Sequence, residues 1–275
     1  MTSHDVVGRL RRIFGTRKIG HSGTLDPMAT GVLVCGVGRA TKLLGHLALD
    51  AKAYTATIRL GAATTTDDVE GEIVSEADAR GVPDTAITIG MATLTGDIQQ
   101  VPSSVSAIKV DGRRAYARVR TGEEIVLSAR PVTVSEFTLL HRHGTELDVT
   151  VTCSSGTYVR ALARDLGAGL GVGGHLTALR RTRVGPFDLS QASTLDALDA
   201  DPRLSMPLDS AVATAFARLD LDAEHAVEVS HGRRLAATGN DGVYGVFAPD
   251  GHVVALMRDE GGQARPVVVL APAAT

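Results

Sequence analysis

The sequence has no tryptophan, only nine aromatic residues (five Phe, four Tyr) and two cysteines among 275 residues. So few aromatics leave little from which to build a base-stacking platform, which disfavours a general single-strand nucleic-acid binder. Cys35 and Cys153 stand far apart, with no second thiol or histidine at metal spacing. Neither a metal site nor a disulfide framework is indicated, and both cysteines read as small buried hydrophobes. No segment approaches the unbroken apolar run that crosses a bilayer, and the opening MTSHDVVGRLRRIF breaks its apolar residues with charged ones, unlike a secretory signal. A cytoplasmic protein without a membrane partner is expected. A Walker lysine motif and a Gly-x-Ser-x-Gly elbow are both lacking, which removes the commonest phosphate-loop and serine-hydrolase readings. No internal repeat is present.

What is there is an ordinary globular composition, 44% hydrophobic and 21% charged, long enough for one sizeable domain and one small one. The net charge of −3 conceals an asymmetry. Residues 1–190 carry 22 Lys plus Arg against 19 Asp plus Glu, and residues 191–275 carry 6 against 12. The basic residues are bunched at Arg9, Arg11, Arg12, Arg17 and Lys18, at Arg113, Arg114, Arg118 and Arg120, and at Arg180, Arg181 and Arg183. From charge alone such runs read equally as phosphate contacts or as solvated helix faces.

Residues 2–14 have helical spacing, with Thr2 and Asp5 as a capping pair and Val6, Val7, Leu10, Ile13 and Phe14 on one face. After a Gly-rich segment, VLVCGVG suits a buried strand and RATKLLGHLAL a helix. YTATIRLG alternates as a half-buried strand does. A polar acidic stretch leads to a helix ending near Leu94, and GDIQQVPSSVSAIKVDGRR reads as an exposed functional loop. RPVTVSEFTLLHR and TELDVTVTCSSG suggest paired strands, and TYVRALARDLGAGLG returns to helical spacing with Val159, Leu162 and Leu166 on one side. Residues 191–215 suit a connector with short helical pieces. VYGVFA, HVVALM and PVVVLA, set off by turn signals, predict a small β-rich domain over 216–275. The expected class is α+β, a largely antiparallel sheet with flanking helices over 1–190, followed by the connector and the small β domain.

GHSGTLDPMATG places His21, Ser22, Thr24 and Asp26 in a loop with three glycines, and Asp before Pro reads first as a structural turn. Loops also carry a disproportionate share of active residues. GVGRAT, residues 36–41, only partly mimics a dinucleotide-binding turn, because the third glycine is missing and no series of βαβ units follows.

GHSGTLDPMATGVLVCGVGRATKLL closely resembles the catalytic signature of the TruB family of tRNA pseudouridine synthases, with its G-[HT]-x-G-[ST]-L-D-P core. YTATIRLG, QQVPSSVSAIKVDGRRAYARVRTG, and SSGTYVRALARDLG followed by GGHLTALRRTRVGPF resemble further family stretches in the same order, over roughly residues 3–187. The short tail resembles a reduced PUA-like domain of the actinobacterial type. The resemblance implies a pseudouridine synthase fold and isomerisation of uridine 55 in the T-loop of tRNA, by base flipping and without cofactor or metal, in a monomeric enzyme.

Carried over by position, the resemblance makes Asp26 the catalytic carboxylate, acting at the ribose C1′ or the base C6. Tyr54 becomes the aromatic that stacks on the flipped base, and Arg160 the arginine that pairs with the catalytic carboxylate. His21 is implied to organise the flipped RNA, Lys42, Tyr158 and Leu179 to touch substrate, and Arg181 to contact RNA. Lys109, Arg113 and Arg114 fall in the loop implied to reach over the RNA and grip phosphates. Two departures stand out. Family members commonly begin with a Lys-Pro-x-Gly strand where this sequence opens directly on TSHDVV, so an edge strand beside the site is expected to be absent; and Val105 stands where many relatives have an aromatic. The acidic tail argues against a strong RNA grip there. A non-catalytic tRNA-binding protein or folding chaperone, and a synthase for another uridine, are the alternative readings; the joint presence of Asp26, Tyr54 and Arg160 favours catalysis.

Overall fold

The computed structural model describes residues 1–47, 51–103 and 127–272, with the backbone alone at 109–110 and 113–114. They form an α+β protein of two compact units. One comprises 28–32 and 49–184; the other comprises 1–27, 33–48 and 185–275.

The first unit is built on an antiparallel sheet whose neighbouring strands run Gly174–Val184, Ala51–Leu60, Glu146–Ser154, Arg130–His143 and Gly96–Gln100. Strict alternation in Ala51–Leu60 puts Tyr54, Ala56, Ile58 and Leu60 on the buried face. Leu147, Val149, Val151 and Cys153 of the adjoining strand lie on that face as well. Helices Asp84–Thr93 and Val159–Gly169 supply Ile87, Met91, Val159, Leu162 and Leu166 to the same core. Each such fully buried side chain contributes about 1.5–3 kcal/mol of transfer free energy. The later helix runs close to the sheet because Gly167 lacks a Cβ, which would meet the Gly173 carbonyl carbon at 2.2 Å.

The paired strands, Tyr54 strand, 159–169 helix and helix ending at Leu94 match the expectations from sequence. Two segments differ. Gly96–Gln100 is a strand rather than loop, paired with Val134–Arg130; edge pairing supplied by a distant strand outweighs a weak local signal. The strands Ala62–Thr64 and Ile73–Glu76, on either side of the acidic stretch, pair as a hairpin that the sequence does not announce.

In the second unit the N-terminal helix Ser3–Ile13 starts where expected. Thr2 accepts from the Asp5 N–H while the Asp5 carboxylate accepts from the Thr2 N–H, a reciprocal cap. Val7 and Leu10 pack against Ile19 of strand Ile19–Ser22, which pairs with Val34–Val37. The expected helix over 39–49 is corrected. Only the 3-10 turn Gly38–Leu43 forms, followed by a bend to Leu47, and residues 48 and 49 lie outside the described set. Gly38 has a left-handed backbone, and the Thr41 hydroxyl occupies its carbonyl at 2.7 Å, a local bond that competes with α-helical pairing.

The C-terminal part of this unit is a five-stranded sheet in the order Ala217–Asp220, Val243–Phe247, Val253–Glu260, Gln263–Val269, Leu235–Ala236, with only the first pair parallel. Helices Leu208–Ala215 and Ala223–Ser230 bury Val212, Ala226 and Val229 against it. No helix among the described residues is long and apolar enough to cross a membrane.

Candidate active site

Tyr54 sits in mid-sheet, opposite Val151 on one side and Arg181 on the other. Arg181 is the largest fully buried side chain described, at 1% exposure. The sequence left the 180–183 arginines open to a solvated helix face. They lie instead on a strand paired with Ala51–Leu60, whose alternation is interrupted by two bulges, after Leu176 and after Arg181. The Arg181 Nε donates to the Val32 carbonyl at 2.8 Å, and the Val32 N–H donates back to the Arg181 carbonyl at 2.8 Å. Thr30–Gly31 pair in parallel with Arg180–Arg181. Gly31 is obligatory there: its φ is +101°, and a Cβ would lie 2.1 Å from the Arg181 carbonyl oxygen. The glycine of the ATGVL stretch thus serves the seating of Arg181.

Leu179 faces Ala56 two residues before Arg181 and is buried in the same core as Tyr54. Tyr158 is the residue before the 159–169 helix, and its backbone is clamped by buried Gln100. The Gln100 side-chain amide donates to the Tyr158 carbonyl at 3.1 Å, and the Tyr158 N–H donates to the Gln100 Oε1 at 2.8 Å.

Arg160 occupies the first turn of that helix at 4% exposure. Its guanidinium donates to the Thr66 carbonyl at 2.9 Å and the Ser103 hydroxyl at 3.4 Å, and pairs with Asp68 at 3.3 Å. Asp68 is itself fixed by the Thr66 hydroxyl at 2.5 Å and the Glu70 N–H at 3.0 Å. The preceding Asp67 is the one described non-glycine residue with a left-handed backbone, φ 60°, a conformation aspartate tolerates. The turn sends the Asp67 carboxylate to Arg164 at 3.2 Å and its carbonyl to the Leu176 N–H at 3.0 Å. Burial raises the Asp67 carboxyl above its ordinary range, against the opposing pull of Ser103, Arg164 and Arg160. Asp67, Asp68, Gln100 and Ser103 carry no signal in the sequence; the acidic stretch reads only as polar, and the folded chain shows two of its carboxylates buried. The first unit therefore places Tyr54, Leu179 and Arg181 on one buried sheet face and holds Tyr158 and Arg160 at the start of the 159–169 helix.

The second unit holds Asp26, His21 and Lys42. Asp26 is half-buried, and the residue before it is gripped by Ser3, whose hydroxyl accepts from the Leu25 N–H at 2.9 Å and lies 3.3 Å from the Leu25 carbonyl. Ser3, the first residue of the N-terminal helix and 5% exposed, is a positioning residue the sequence reading missed; its signal was the Thr-Ser pair, of which only Thr2 was read, as a cap. His21 faces Cys35 in the 19–22 strand and is half-buried. The Lys42 ammonium donates to the Val269 carbonyl at 3.0 Å, which ties the 3-10 turn to the C-terminal sheet. Lys109 and Arg114 face each other in a two-residue ladder beside Arg113; their side chains, and Val105, lie outside the described set. Cys153 is buried and Cys35 half-buried, and burial pushes the Cys153 thiol up to about 11. Among the described residues no cluster of His, Cys, Asp and Glu is arranged to hold a metal ion.

Three family models cover the chain. Residues 11–159 match the TruB family pseudouridylate synthase N-terminal domain, 160–213 the tRNA pseudouridylate synthase B C-terminal domain, and 216–271 the tRNA pseudouridine synthase II C-terminal domain. The sequence is 62% identical to the tRNA pseudouridine synthase B of Nocardia farcinica over 99% of this chain and 90% of that protein. It is 61% identical to the protein of the same name from Rhodococcus jostii, over 99% and 91%. A chain of a crystallised Cbf5-Nop10-Gar1 complex superposes with a TM-score of 0.74 at 25% identity, over 99% of this chain and 82% of that one.

Proposed function

The chain belongs to the TruB family of pseudouridine synthases and is an isomerase of that class; from that premise we propose that its substrate is uridine 55 in the T-arm of tRNA, turned out of the loop and rejoined to its ribose through carbon. The reaction breaks the N1–C1′ bond, rotates the base, forms C5–C1′, loses the proton at C5 and gains one at N1, so atoms balance without a co-substrate. Extrusion precedes chemistry, since a nucleotide stacked in a folded loop is unreachable.

In this reading the Asp26 carboxylate attacks, or stabilises charge, at C1′ or C6, a task that requires its ionised form. Tyr54 offers its ring to the base. Arg160 supplies a fixed positive charge, held by Asp68 and the Thr66 carbonyl. His21, Lys42, Tyr158, Leu179 and Arg181, with Lys109, Arg113 and Arg114, belong to the RNA-contacting set. The enzyme acts as a monomer in the cytoplasm.

The observation that carries the proposal is the burial of two arginines in the unit that holds Tyr54: Arg181, opposite Tyr54 in the sheet, and Arg160, in the first turn of the 159–169 helix. Removing guanidinium groups from water costs several kcal/mol, an expense a purely structural sheet face avoids with apolar residues. The test maps pseudouridine at single-nucleotide resolution in an unmodified tRNA transcript incubated with wild type and with Asp26→Asn. Wild type is expected to modify one T-loop uridine, and the variant to lose at least about 10³-fold in rate. Persistent modification by the variant removes Asp26 from the chemistry. Modification elsewhere overturns the substrate, and accelerated tRNA folding without modification points to the chaperone reading.

A further inference from the structure

Arg164 stands one helical turn after Arg160 on the same side of the 159–169 helix, and every nitrogen of its guanidinium has a partner. Nε donates to Asp165 at 2.8 Å, Nη1 to Asp67 at 3.2 Å and Nη2 to the Val101 carbonyl at 2.7 Å. The last two partners belong to the segments that hold Arg160. Thr66 and Asp68, which take the Arg160 guanidinium through a carbonyl and a carboxylate, flank Asp67, and Ser103 lies two residues after Val101. The two segments are joined to each other as well, since the Ser103 hydroxyl donates to the Thr66 carbonyl at 3.1 Å.

Aspartate is a costly residue for position 67. The turn needs a side chain that tolerates a φ of 60°, which glycine does without steric cost and asparagine does as readily as aspartate. Either would spare the protein a buried charge. Asp67 is 8% exposed, and the desolvation that pushes its carboxyl up outweighs the pull of Ser103, Arg164 and Arg160. The turn alone therefore does not account for the carboxylate, whereas its reach to Arg164 does. With the Arg164 side chain 27% exposed, this pair lies toward solvent from the deeply buried Arg160–Asp68 pair.

We propose that Asp67 and Arg164 are positioning residues for Arg160: the outer pair clamps the 66–68 turn and the 101–103 segment to the helix and so fixes the direction of the Arg160 guanidinium. The inference rests on the role of Arg160 given above. Neither residue touches the substrate. Both act on the rate through geometry, where a misplacement of about 1 Å costs up to about 10²-fold.

The test follows two readouts in wild type, Asp67→Gly and Arg164→Met. One is turnover of an unmodified tRNA transcript; the other is side-chain N–H exchange of Arg160 by NMR, the signal being assigned by its absence in Arg160→Met. Asp67→Gly keeps the left-handed turn and removes the carboxylate. It is expected to lower kcat about 10- to 100-fold with KM within about twofold of wild type, and to speed Arg160 exchange about tenfold. Arg164→Met is expected to do the same, and the double variant to be no slower than Arg164→Met, because the two residues act as one unit. Wild-type kcat and exchange in Asp67→Gly would mean that the carboxylate serves only the turn, and the clamp is overturned. A fall in kcat with unchanged Arg160 exchange, multiplying losses in the double variant, or failure of both single variants to fold overturns it too. If Asp67→Gly alone fails to fold, the two readouts in Arg164→Met decide. Faster Arg160 exchange with wild-type turnover upholds the clamp and removes Arg160 from the chemistry instead, an outcome that full turnover by Arg160→Met identifies.

Discussion

The two units spend polar groups differently. Thr64, Asp67, Asp68, Gln100, Ser103, Arg160, His175 and Arg181 are buried in the unit that holds the Tyr54 strand, and in the other unit Ser3 alone among the described polar and charged residues is buried to that degree. The C-terminal sheet keeps its charges outside, in exposed pairs such as Arg218–Asp220 at 2.7 Å and Arg265–Glu260 at 3.5 Å. Its one deep polar commitment is Tyr244, whose buried ring donates its hydroxyl to Asp259 at 2.7 Å. Burial and the neighbouring carboxylate hold that hydroxyl proton up to about 12. A sheet whose only task is to fold buries apolar residues. A unit that buries two arginines and two aspartates accepts a desolvation cost that packing alone does not require. The contrast separates the unit that buries paired charges from the sheet where apolar packing dominates.

The largest effect that sharpens this contrast is expected at the buried ion pair. Arg160→Met, which strands Asp68, should cost about 3–5 kcal/mol in chemical denaturation, whereas Arg218→Ala in the exposed pair should cost less than about 1 kcal/mol. Equal losses at both sites would erase the distinction. Next is Tyr244→Phe, which removes one hydrogen bond from the C-terminal sheet: a loss of about 1 kcal/mol is expected, with turnover on tRNA retained. Lost turnover in a stably folded Tyr244→Phe protein would draw the C-terminal sheet into the chemistry.

The smallest effect is a pH dependence on the exposed side of the comparison. His252 pairs with Asp209 at 2.9 Å, and that hydrogen bond raises its pKa above the ordinary 6.5. Because the folded value is the higher one, the pair stabilises fully below pH 6.5, and the contribution fades as pH rises through the folded value. His252→Gln should therefore lower the thermal midpoint at pH values under 6.5 and leave it unchanged at alkaline pH. A difference of the opposite sign, or one independent of pH, would show that the pair contributes nothing electrostatically.

Much of the fold was legible because it rests on local periodicity. Thr2 with Asp5 announced the first helix, and the alternation of YTATIRLG announced the strand bearing Tyr54. Val159, Leu162 and Leu166 marked the buried side of the later helix. The acidic stretch reads as polar, and nothing local marks Asp67 and Asp68 as the partners of Arg164 and Arg160, which stand over ninety residues away in the chain. Ser3 was passed over for a related reason: its grip on Leu25 spans twenty-two residues. The strand 174–184 escaped because two bulges interrupt its period and its arginines conceal the rest.

The sequence by itself determined the family, the α+β class, and Asp26, Tyr54 and Arg160 as the residues to examine, since motif order and short-range periodicity are properties of the chain alone. Only the tertiary structure decided which charges are buried and what holds them. Desolvation and ion pairing depend on what distant segments bring to the same place, and no local pattern records that.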